Sequence, residues 1–546
     1  MQNMLRRDFL SLSMLAFGAG TQGAGPPALL PFAKCILDYG AKPDGKTLST
    51  KAIQRAIDEV SSAGGGGVYA PPGIFLVGGL ELKSGVTFYL EAGCVLLGSA
   101  SIEDYPYHHG PPMKGDSNGH HLLFAQKSEN LTICGPGTID GQGTAYWQPK
   151  ATSKVRPSSE SWRDVYSQDY EAINNNLRPS PMIEFAQCRN VRISGVTLRN
   201  SAGWTVRTVA CETVVIDGVR IRNPSFGVNT DGVDITCSQN VQVSNCDIET
   251  GDDAICLKSE NPYGEVFPCK NIAVTNCHLT TPCNGFKIGT ASKGAFENIA
   301  FSNSTIYADT ASPINTRPIG GISIEMVDGG NIDGVVISNI RMQNVRTAIF
   351  VRLGERQKKA GTSLRNVLID NVDATGTTFA SSITGIPELR PSDVTLSNCR
   401  IRTVEQGPGT WARREIPEAA DLYPEATMMG RLPAYGFFIR HADRVRMHNV
   451  ECITDRPDGR PAVVCDDAKD LILAGLELAA PAGDGAVVEL KNTQRVFIAG
   501  MRIPVGAKTI VQISGADSSG ISFAGNSFEP VQPTVTYIDG AAAAAL

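Results

Sequence analysis

Three aspartates, Asp231, Asp252 and Asp253, occur in two segments of similar sequence, NTDGVDI (residues 229–235) and GDDAICL (residues 251–257). When the apolar residues of the two segments are aligned, Asp231 matches Asp253, and Asp252 precedes the match by one residue. Carboxyl groups held this close repel one another, so at least one should have a raised pKa. Glycosidic-bond hydrolysis uses such a set, because one carboxylic acid protonates the leaving oxygen while carboxylates activate water.

Two other interpretations of the three aspartates stay open at this level. Aspartate is common in the turns of repetitive β-structure, and clustered carboxylates are ligands of Ca²⁺. The matched placement of three residues favours catalysis over both. We expect neither a cofactor nor a metal.

The match depends on a repeat that runs through most of the chain. Twelve segments share the pattern apolar, any residue, apolar, any residue, then Asn or Gly, at intervals of 23 to 51 residues. This period, with strand-type alternation, predicts an all-β solenoid whose coils stack into parallel sheets. Asn and Gly tolerate the left-handed backbone of a tight turn. The twelve segments end at Gly195, Gly218, Asn245, Asn276, Asn303, Asn339, Asn371, Asn398, Asn449, Gly475, Gly500 and Gly525.

Stacking converts sequence spacing into adjacency, because equivalent residues of neighbouring coils lie about 4.8 Å apart. The next coil, NGFKIG (residues 284–289), then places Asn284 over Asp253. Lys258 and Lys287 should face the cleft beside the aspartates, either as charge partners or as ligands for a uronate. The inward row is expected to be Val233, Ile255, Phe286, Ile322 and Ile349. One outward row is expected to be Asp234, Cys256, Lys287, Ser323 and Phe350, and the next Thr236, Lys258, Gly289, Glu325 and Arg352.

The organisation of the chain follows from the same pattern. Apolar residues at helical spacing between residues 52 and 60 predict a short N-terminal helix that caps the solenoid. We expect a single domain over residues 30–535, with insertions at 144–178 and 404–436 on the binding face. Aromatic residues there either stack on sugar rings or pack against the solenoid. The aromatic and basic residues of the insertions are Trp147, Trp162, Arg163, Tyr166, Tyr170, Trp411, Arg413 and Arg414.

Residues 1–24 resemble a twin-arginine export signal, with Arg6 and Arg7 before a short apolar run. That run is too short to span a membrane, so we expect a periplasmic or secreted protein. The net charge is −6 and the sequence has no basic run, which makes nucleic acid an unexpected partner. We expect a monomer without a membrane span.

The chain has fourteen cysteines. Cys246, Cys277 and Cys399 follow the turn residue where other coils place apolar residues, which favours buried free thiols. Cys256, Cys269 and Cys283 lie near the aspartates, and the sequence leaves open whether they form a disulfide.

The segments NTDGVD and GDDAICLKS, with 21 residues from the first Asp to the second, are similar to motifs of glycoside hydrolase family 28, the polygalacturonases and rhamnogalacturonan hydrolases. DYGAKPDG, GGGGVYAPPG, LEAGCVLLGS and GPGTIDGQG extend the resemblance over about residues 36 to 400. The resemblance implies a right-handed parallel β-helix and hydrolysis with inversion. It also implies that Asp252 is the general acid, while Asp231 and Asp253 activate the water. An inverting mechanism would place Asp252 about 6.5–9.5 Å from that pair.

This chain departs from the family pattern in two places. Asn284 stands in a Cys-Asn-Gly segment where polygalacturonases have Gly-His-Gly. Ser323 and Glu325 occupy the basic positions of the Arg-Ile-Lys motif that holds a galacturonate carboxylate, and a glutamate would repel that group. The substitutions favour rhamnogalacturonan-like linkages or terminal galacturonate over interior bonds of homogalacturonan. Substrate contacts are expected from Asn284, Lys287, Lys258, Ser323, Glu325 and Arg352.

We therefore predict an inverting hydrolase of galacturonosyl linkages in pectin-type poly- or oligosaccharides. One alternative is a β-helix lyase or epimerase acting on uronates, in which Lys258 or Lys287 abstracts the C5 proton and the aspartates bind Ca²⁺. A second alternative is a non-catalytic carbohydrate-binding solenoid. The presence of all three aspartates argues against the second.

Overall fold

Short strands of alternating inward and outward residues stack from coil to coil along most of the chain. The computed structural model describes residues 33–108, 119–150, 170–313, 316–357, 361–502, 504–526 and 535–541. Strands of successive coils pair in parallel and form three long sheets around one core. The architecture is a right-handed parallel β-helix, which confirms the predicted fold class. The proposed export signal, residues 1–24, lies outside the described residues.

The sheet that carries the three aspartates is called the cleft sheet. Its strands are Leu80–Glu81, Leu123–Gln126, Ile183–Ala186, Val206–Val209, Val233–Thr236, Ile255–Ser259, Asn284–Ser292, Gly320–Met326, Thr347–Leu353, Ser381–Thr384, Ala486–Lys491, Thr509–Ser514 and Val535–Ile538. Two long strands, Phe437–His448 and Val463–Ala474, begin in the cleft sheet and continue into the second sheet.

The second sheet consists of Lys34–Cys35, Gly66–Ala70, Val86–Leu90, Glu129–Cys134, Arg189–Ser194, Glu212–Asp217, Gln239–Ser244, Cys269–Thr275, Ser392–Ser397, Gln494–Ala499 and Ser519–Ala524. Three further strands cross from the second sheet into the third, namely Ala295–Tyr307, Asn331–Gln343 and Ser363–Thr377. The third sheet also contains Asp44–Leu48, Gly73–Val77, Cys94–Gly98, Thr138–Asp140, Thr197–Arg199, Arg220–Arg222, Asp247–Glu249, His278–Thr280, Arg400–Thr403, Glu451–Thr454 and Glu477–Leu478.

The core has the predicted register in the coils that form the site. Val233 pairs with Ile255, Ile255 with Phe286, Phe286 with Ile322, and Ile322 with Ile349. All five side chains are buried in the main core. Phe286 stacks on Phe301 of the second sheet, with ring centroids 4.4 Å apart. The predicted inward row is therefore confirmed, and with it the alignment that places the aspartates together.

Turn residues of the repeat have the backbone conformation that their type predicts. The Asn and Gly residues that end the twelve segments all have positive φ, such as 57° at Asn245 and 74° at Gly195. Their side chains add hydrogen bonds between coils, because the Asn371 amide donates to Asn339 at 2.8 Å and the Asn339 amide to Asn303 at 3.0 Å.

The helix Thr50–Ser62 covers the first coils as predicted, and the five residues that it buries are the predicted apolar ones. Gln54 bonds both main-chain groups of Glu81, which satisfies part of an exposed strand edge. Short 3-10 helices are Ile36–Tyr39, Ile102–Asp104, Gly143–Tyr146 and Gly409–Arg413. Within the described ranges, no helix has both the length and the apolar character needed to cross a membrane.

The described residues of both insertions pack against the solenoid. In the first, Trp147–Pro149 pairs antiparallel with Tyr170–Ala172, and Trp147 is buried against Ala202. Trp162, Arg163 and Tyr166 lie outside the described residues. The second insertion lies over the cleft sheet, where Met428 packs on Phe350. All fourteen cysteines are free thiols, so the disulfide left open for Cys256, Cys269 and Cys283 is absent.

Candidate active site

Asp231 and Asp253 lie one above the other immediately before paired strands of the cleft sheet. The amide of Gly232 donates to the carbonyl of Asp253 at 2.9 Å, and the amide of Ala254 donates to the carbonyl of Asn284 at 2.9 Å. Asn284 therefore lies over Asp253, as predicted. The close coil spacing requires Gly232, because a Cβ there would lie 2.4 Å from the carbonyl oxygen of Ala254.

Asp252 projects from the turn that precedes its strand. The hydroxyls of Thr250 and Thr281 both donate to the main-chain carbonyl of Asp252 at 2.5 Å. The amide of Asp253 donates to one oxygen of the Asp252 carboxyl group at 2.9 Å. These bonds fix the turn, so that the two neighbouring carboxyl groups differ in surroundings although they are adjacent in sequence.

Lys258 lies beneath the Asp231 side of the cleft. Its Nζ is 2.6 Å from Asp234 Oδ1, 3.2 Å from the Cys256 sulfur and 3.5 Å from Asp231 Oδ2. The same Nζ lies 4.2 Å from the ring centroid of Trp204, a cation–π contact. Lys258 is therefore enclosed by anionic and aromatic partners and acts as a charge partner.

Lys287 lies beneath the Asp253 side and is also enclosed. Its Nζ is 3.2 Å from Asp253, 3.6 Å from Glu325 and 3.9 Å from Glu425, and 3.4 Å from the hydroxyl of Tyr423. The Lys287 side chain is 1% exposed. Of the two roles considered for it, the structure favours charge partner over uronate ligand.

The residues that replace the two family motifs are buried and serve Asp253. The main-chain amide and the side-chain Nδ2 of Asn284 donate to Asp253 Oδ1 at 3.2 and 2.8 Å. The Ser323 hydroxyl donates to Asn284 Oδ1 at 2.7 Å, which orients the amide group. Glu325 is fully buried, accepts a 3.0 Å bond from the Thr290 hydroxyl and faces Lys287.

Arg352 is not brought to the cleft. Its guanidinium donates to the carbonyls of Gly385 at 2.8 Å and of Glu418 at 2.6 Å. Burial lowers its pKa to about 10. The predicted role of Arg352 in substrate binding is therefore wrong, because this side chain fastens the second insertion to the cleft sheet.

The second outward row also departs from expectation between Leu257 and Ser259, where the register with the next strand shifts. Gly289, the residue expected beside Lys258, has φ 109°, and a Cβ on it would lie 2.4 Å from the carbonyl oxygen of Glu325. The local bulge thus depends on glycine. The first outward row pairs as predicted, from Asp234 to Phe350.

The adjacent carboxyl groups of Asp252 and Asp253 are shifted in opposite directions. Burial, and then the negative charge of Asp253, raise the pKa of Asp252 above its ordinary value. Burial alone would raise the pKa of Asp253 as well, but the ammonium groups of Lys287 and Lys258 lower it below the ordinary value. One carboxyl group therefore retains its proton where its neighbour is ionised.

The ionisable groups around Asp252 and Asp253 also have shifted pKa values. Burial, reinforced by Asp234 and Asp252, raises the pKa of Asp231 well above its ordinary value. Burial raises the pKa of Glu325 to about 8 and that of Glu425 to about 7. For Lys258 and Lys287, burial opposes the charge, but the carboxylates raise the pKa of both well above the ordinary value.

A family model for glycosyl hydrolases family 28 matches residues 70–420, well over half of the chain. The chain belongs to glycosyl hydrolase family 28. It is therefore a glycoside hydrolase.

Curated proteins are similar to this chain at low identity. A probable polygalacturonase of Vitis vinifera is 27% identical over 387 residues, which cover 67% of this chain and 73% of that protein. An exo-poly-alpha-D-galacturonosidase of Dickeya chrysanthemi is 28% identical over 400 residues, which cover 64% of each chain.

Solved structures show the same fold. The family 28 exopolygalacturonase of Yersinia enterocolitica matches with a TM-score of 0.61 at 21% identity, over 80% of this chain and 78% of that chain. A hyperthermoactive exopolygalacturonase of Thermotoga maritima matches with a TM-score of 0.59 at 22% identity, over 78% of this chain and 92% of that chain.

The cleft of this family 28 enzyme has a volume of about 740 Å³. It is lined by Trp204, Asn229, Asp231, Asp252, Asp253, Lys258, Glu260, Asn261, Pro262, Lys287, Thr290, Ala291, Lys293, Arg356, Gln357 and Tyr423. Sequence reasoning did not select Asp234, Tyr423, Glu425 or Arg356 as site residues. Asp234 could have been found, because it pairs with Cys256 in the same outward row. Tyr423 and Glu425 lie in an insertion without the repeat, which gives no register.

The carboxyl groups of Asp252 and Asp253 approach each other closely at one pair of oxygens. An oxygen of Asp252 and an oxygen of Asp253 lie within 4.8 Å of each other and of the Cys283 sulfur. This bound concerns one oxygen of each group, whereas the separation of about 6.5–9.5 Å expected of an inverting pair is between whole carboxyl groups, so that expectation stays a prediction. The close approach arises because consecutive residues of one turn hold both carboxyl groups.

The same three side chains are the only group, among the described parts of the chain, with donor atoms close enough to hold a metal ion. Burial raises the pKa of Cys283 well above its ordinary value, which keeps it a neutral thiol. A neutral thiol is a poor ligand for Ca²⁺, which prefers six to eight oxygen atoms. The donor set therefore does not fit calcium.

Proposed function

We propose that this family 28 enzyme is an inverting hydrolase of galacturonosyl linkages in pectin-type poly- or oligosaccharides. Asp252 is the general acid that protonates the leaving oxygen. Asp253 is the principal base that activates the attacking water, and Asp231 helps to position that water. The observation that carries the proposal is the opposite shift of the Asp252 and Asp253 pKa values within one cleft.

The reaction uses each residue in the state that its surroundings favour. Asp252 gives its proton to the departing sugar oxygen as the glycosidic bond breaks. Asp253 accepts a proton from water while that water attacks the anomeric carbon. Lys287 holds Asp253 ionised beforehand, and Asn284 fixes the orientation of its carboxylate through two donors on one oxygen.

The proposed substrate preference rests on the replacement of two basic residues in the cleft floor. Glu325 and Ser323 stand where polygalacturonases have basic residues, and both are buried. We expect rhamnogalacturonan-like linkages or terminal galacturonate to be cleaved in preference to interior bonds of homogalacturonan. The curated relative from Dickeya chrysanthemi, named as an exo-enzyme, and Tyr423 in the cleft wall support a substrate end in the cleft.

A uronate lyase or epimerase fits the site less well. That chemistry needs a basic group to abstract the C5 proton, and the candidates were Lys258 and Lys287. The carboxylates around them raise the pKa of both lysines well above the ordinary value, so both are ammonium ions and cannot accept a proton.

The test is product analysis on oligogalacturonides and rhamnogalacturonan oligosaccharides, with proton NMR of the first product formed. We expect saturated sugars whose new anomeric centre is opposite to that of the substrate. Unsaturated products would indicate a lyase. Saturated products with the retained anomer would mean that the close approach of Asp252 and Asp253 reflects a covalent intermediate.

A further inference from the structure

The floor of the cleft is poorly suited to a substrate carboxylate. Six carboxyl groups lie there beside the ammonium groups of Lys258 and Lys287, and both of these ammonium groups contact carboxylates. The acidic side chains are Asp231, Asp234, Asp252, Asp253, Glu325 and Glu425. A uronate carboxylate placed over them would add a further negative charge to a buried acidic cluster that already engages both ammonium groups.

Arg356 places a partly exposed positive charge in the same cleft, away from the acidic floor. It follows the strand Thr347–Leu353 and lines the cavity, with 27% of its side chain exposed. Its Nε donates to Asp328 Oδ1 at 2.7 Å, and its Nη2 donates to the second oxygen of Asp328. Asp328 is itself buried and accepts a bond from the Ser292 amide at 3.4 Å, so the guanidinium is held by a fixed partner.

This pairing uses only one edge of the guanidinium group. A guanidinium presents two pairs of parallel donors, and the Nε–Nη2 edge is the one taken by Asp328. Nη1 donates to no acceptor within the described residues. The remaining Nη1–Nη2 edge is thus available for a second planar carboxylate, in an orientation that is set in advance.

Tyr423 lies between Lys287 in the floor of the cleft and Arg356. Its ring centroid is 5.5 Å from the Arg356 guanidinium carbon and 5.4 Å from Lys287 Nζ. Tyr423 is 43% exposed and lines the cavity, which gives a sugar ring an aromatic surface beside Arg356. Tyr423 of the second insertion thereby forms the cleft wall between the three aspartates and Arg356.

We propose that Arg356, oriented by Asp328 and flanked by Tyr423, binds the carboxylate of a uronate unit in the substrate, while the sugar over the three aspartates is held without a carboxylate contact. The inference rests on the proposed function and names a specificity residue for it. The cation that recognises the uronate is thus displaced from the coil of Ser323 and Glu325 to the following coil.

The test compares two forms of each oligosaccharide, the free acid and its methyl ester, with the wild type and Arg356→Gln. We expect kcat/KM of Arg356→Gln for the free acid to fall about 10- to 100-fold, mainly through KM, because a charge-assisted bidentate contact is lost. The methyl ester should react within about twofold of the wild type. Equal losses on both forms, or no loss on either, would overturn the inference.

Two further variants keep the result interpretable. Arg365→Gln removes an exposed arginine paired with Asp333 on the second sheet, and should change neither substrate. Arg356→Lys is the substitute experiment if Arg356→Gln does not fold. It keeps a cation beside Asp328 but loses the paired donors of the guanidinium group, so it should lower kcat/KM for the free acid alone. An equal loss for both forms in Arg356→Lys would also overturn the inference.

Failure of the proposed function would look different. A folded wild type that hydrolyses neither form of any pectic oligosaccharide would refute that function. Arg356 is then tested by titration calorimetry with tri-galacturonate, whose binding should be weaker in Arg356→Lys than in the wild type. Unchanged binding would overturn the inference independently of hydrolysis.

Discussion

The two lysines under the cleft occupy similar positions and have different effects. Lys258 is closest to Asp234, at 2.6 Å, and lies 3.5 Å from Asp231. Lys287 is closest to Asp253, at 3.2 Å, and is farther from Glu325 and Glu425. Each ammonium is buried and each faces more than one carboxyl group.

The difference lies in which carboxyl group each lysine stabilises as an anion. Lys258 is nearest to Asp234, and the pKa of Asp231 stays raised because of burial and its acidic neighbours. Lys287 is nearest to Asp253, and two donors of Asn284 reinforce the anion, so the pKa of Asp253 is lowered despite burial. The nearest ammonium and the number of donors, rather than burial alone, thus select the base.

Lys287→Met should change the pH dependence of activity more than the corresponding substitution of Lys258. Without this ammonium the pKa of Asp253 rises, so the base is protonated at acidic pH. A nearby opposite charge lowers a carboxyl pKa by about 1–3 units, so we expect the acidic limb of the kcat/KM profile to move upward by a similar amount. At pH 5 the activity should fall by up to about tenfold, because a two-unit rise from 3.8 leaves roughly a tenth of Asp253 ionised, and the losses on the free acid and the methyl ester should be equal.

Lys258→Met is the matched comparison for that experiment. Its acidic limb should move upward by less, because the closest carboxylate of Lys258 is Asp234 rather than Asp253. Equal shifts in the two variants would contradict the assignment of Asp253 to Lys287. A loss confined to free-acid substrates in Lys287→Met would instead make Lys287 a uronate ligand.

Glu325→Gln tests whether a carboxyl group that faces Lys287 is protonated in the folded protein. The expected effect is on the pH dependence of stability and is smaller than the effects on activity. The folded-state pKa of Glu325 is about 8, above its unfolded value of 4.5. The stability associated with its protonated form is therefore complete below about pH 4.5 and is lost as pH rises through 8. Because glutamine does not ionise, the variant should lose less stability between pH 5 and pH 9 than the wild type, by about 1–3 kcal/mol.

Urea denaturation at the two pH values measures that difference. Glu297→Gln is a suitable control, because Glu297 is exposed and pairs with Lys270 on the second sheet. Its pH dependence should match the wild type. If Glu325→Gln also matches the wild type, Glu325 is ionised at neutral pH in the folded protein.

The floor of the site could be predicted from sequence because the repeat fixes it. Once the Val233, Ile255 and Phe286 strands are aligned, the positions of Asp231, Asp253 and Asn284 follow without coordinates. The placement of Lys258 and Lys287 beside the aspartates follows in the same way, whereas their burial does not. The alternation of inward and outward residues also predicted the core, and apolar residues at helical spacing predicted the capping helix.

The wall of the site could not be predicted in this way. Tyr423 and Glu425 belong to an insertion with no repeat, so their sequence positions carry no information about which coil they contact. Arg352 shows the converse error. Its row was correct, since it pairs with Glu325, but the insertion covers that coil and takes the guanidinium as an anchor.

The central claim is that Asp252 supplies the proton and Asp253 prepares the water, and leaving-group dependence tests it most directly. Asp252→Asn should lower kcat/KM about 100- to 10,000-fold on a natural oligosaccharide, whose leaving group needs protonation. On an aryl glycoside of the same sugar, whose leaving group departs as an anion, the loss should be below about tenfold. Asp253→Asn should impair both substrates to a similar degree, because each needs an activated water. Equal losses for the two variants on both substrates would contradict the assignment.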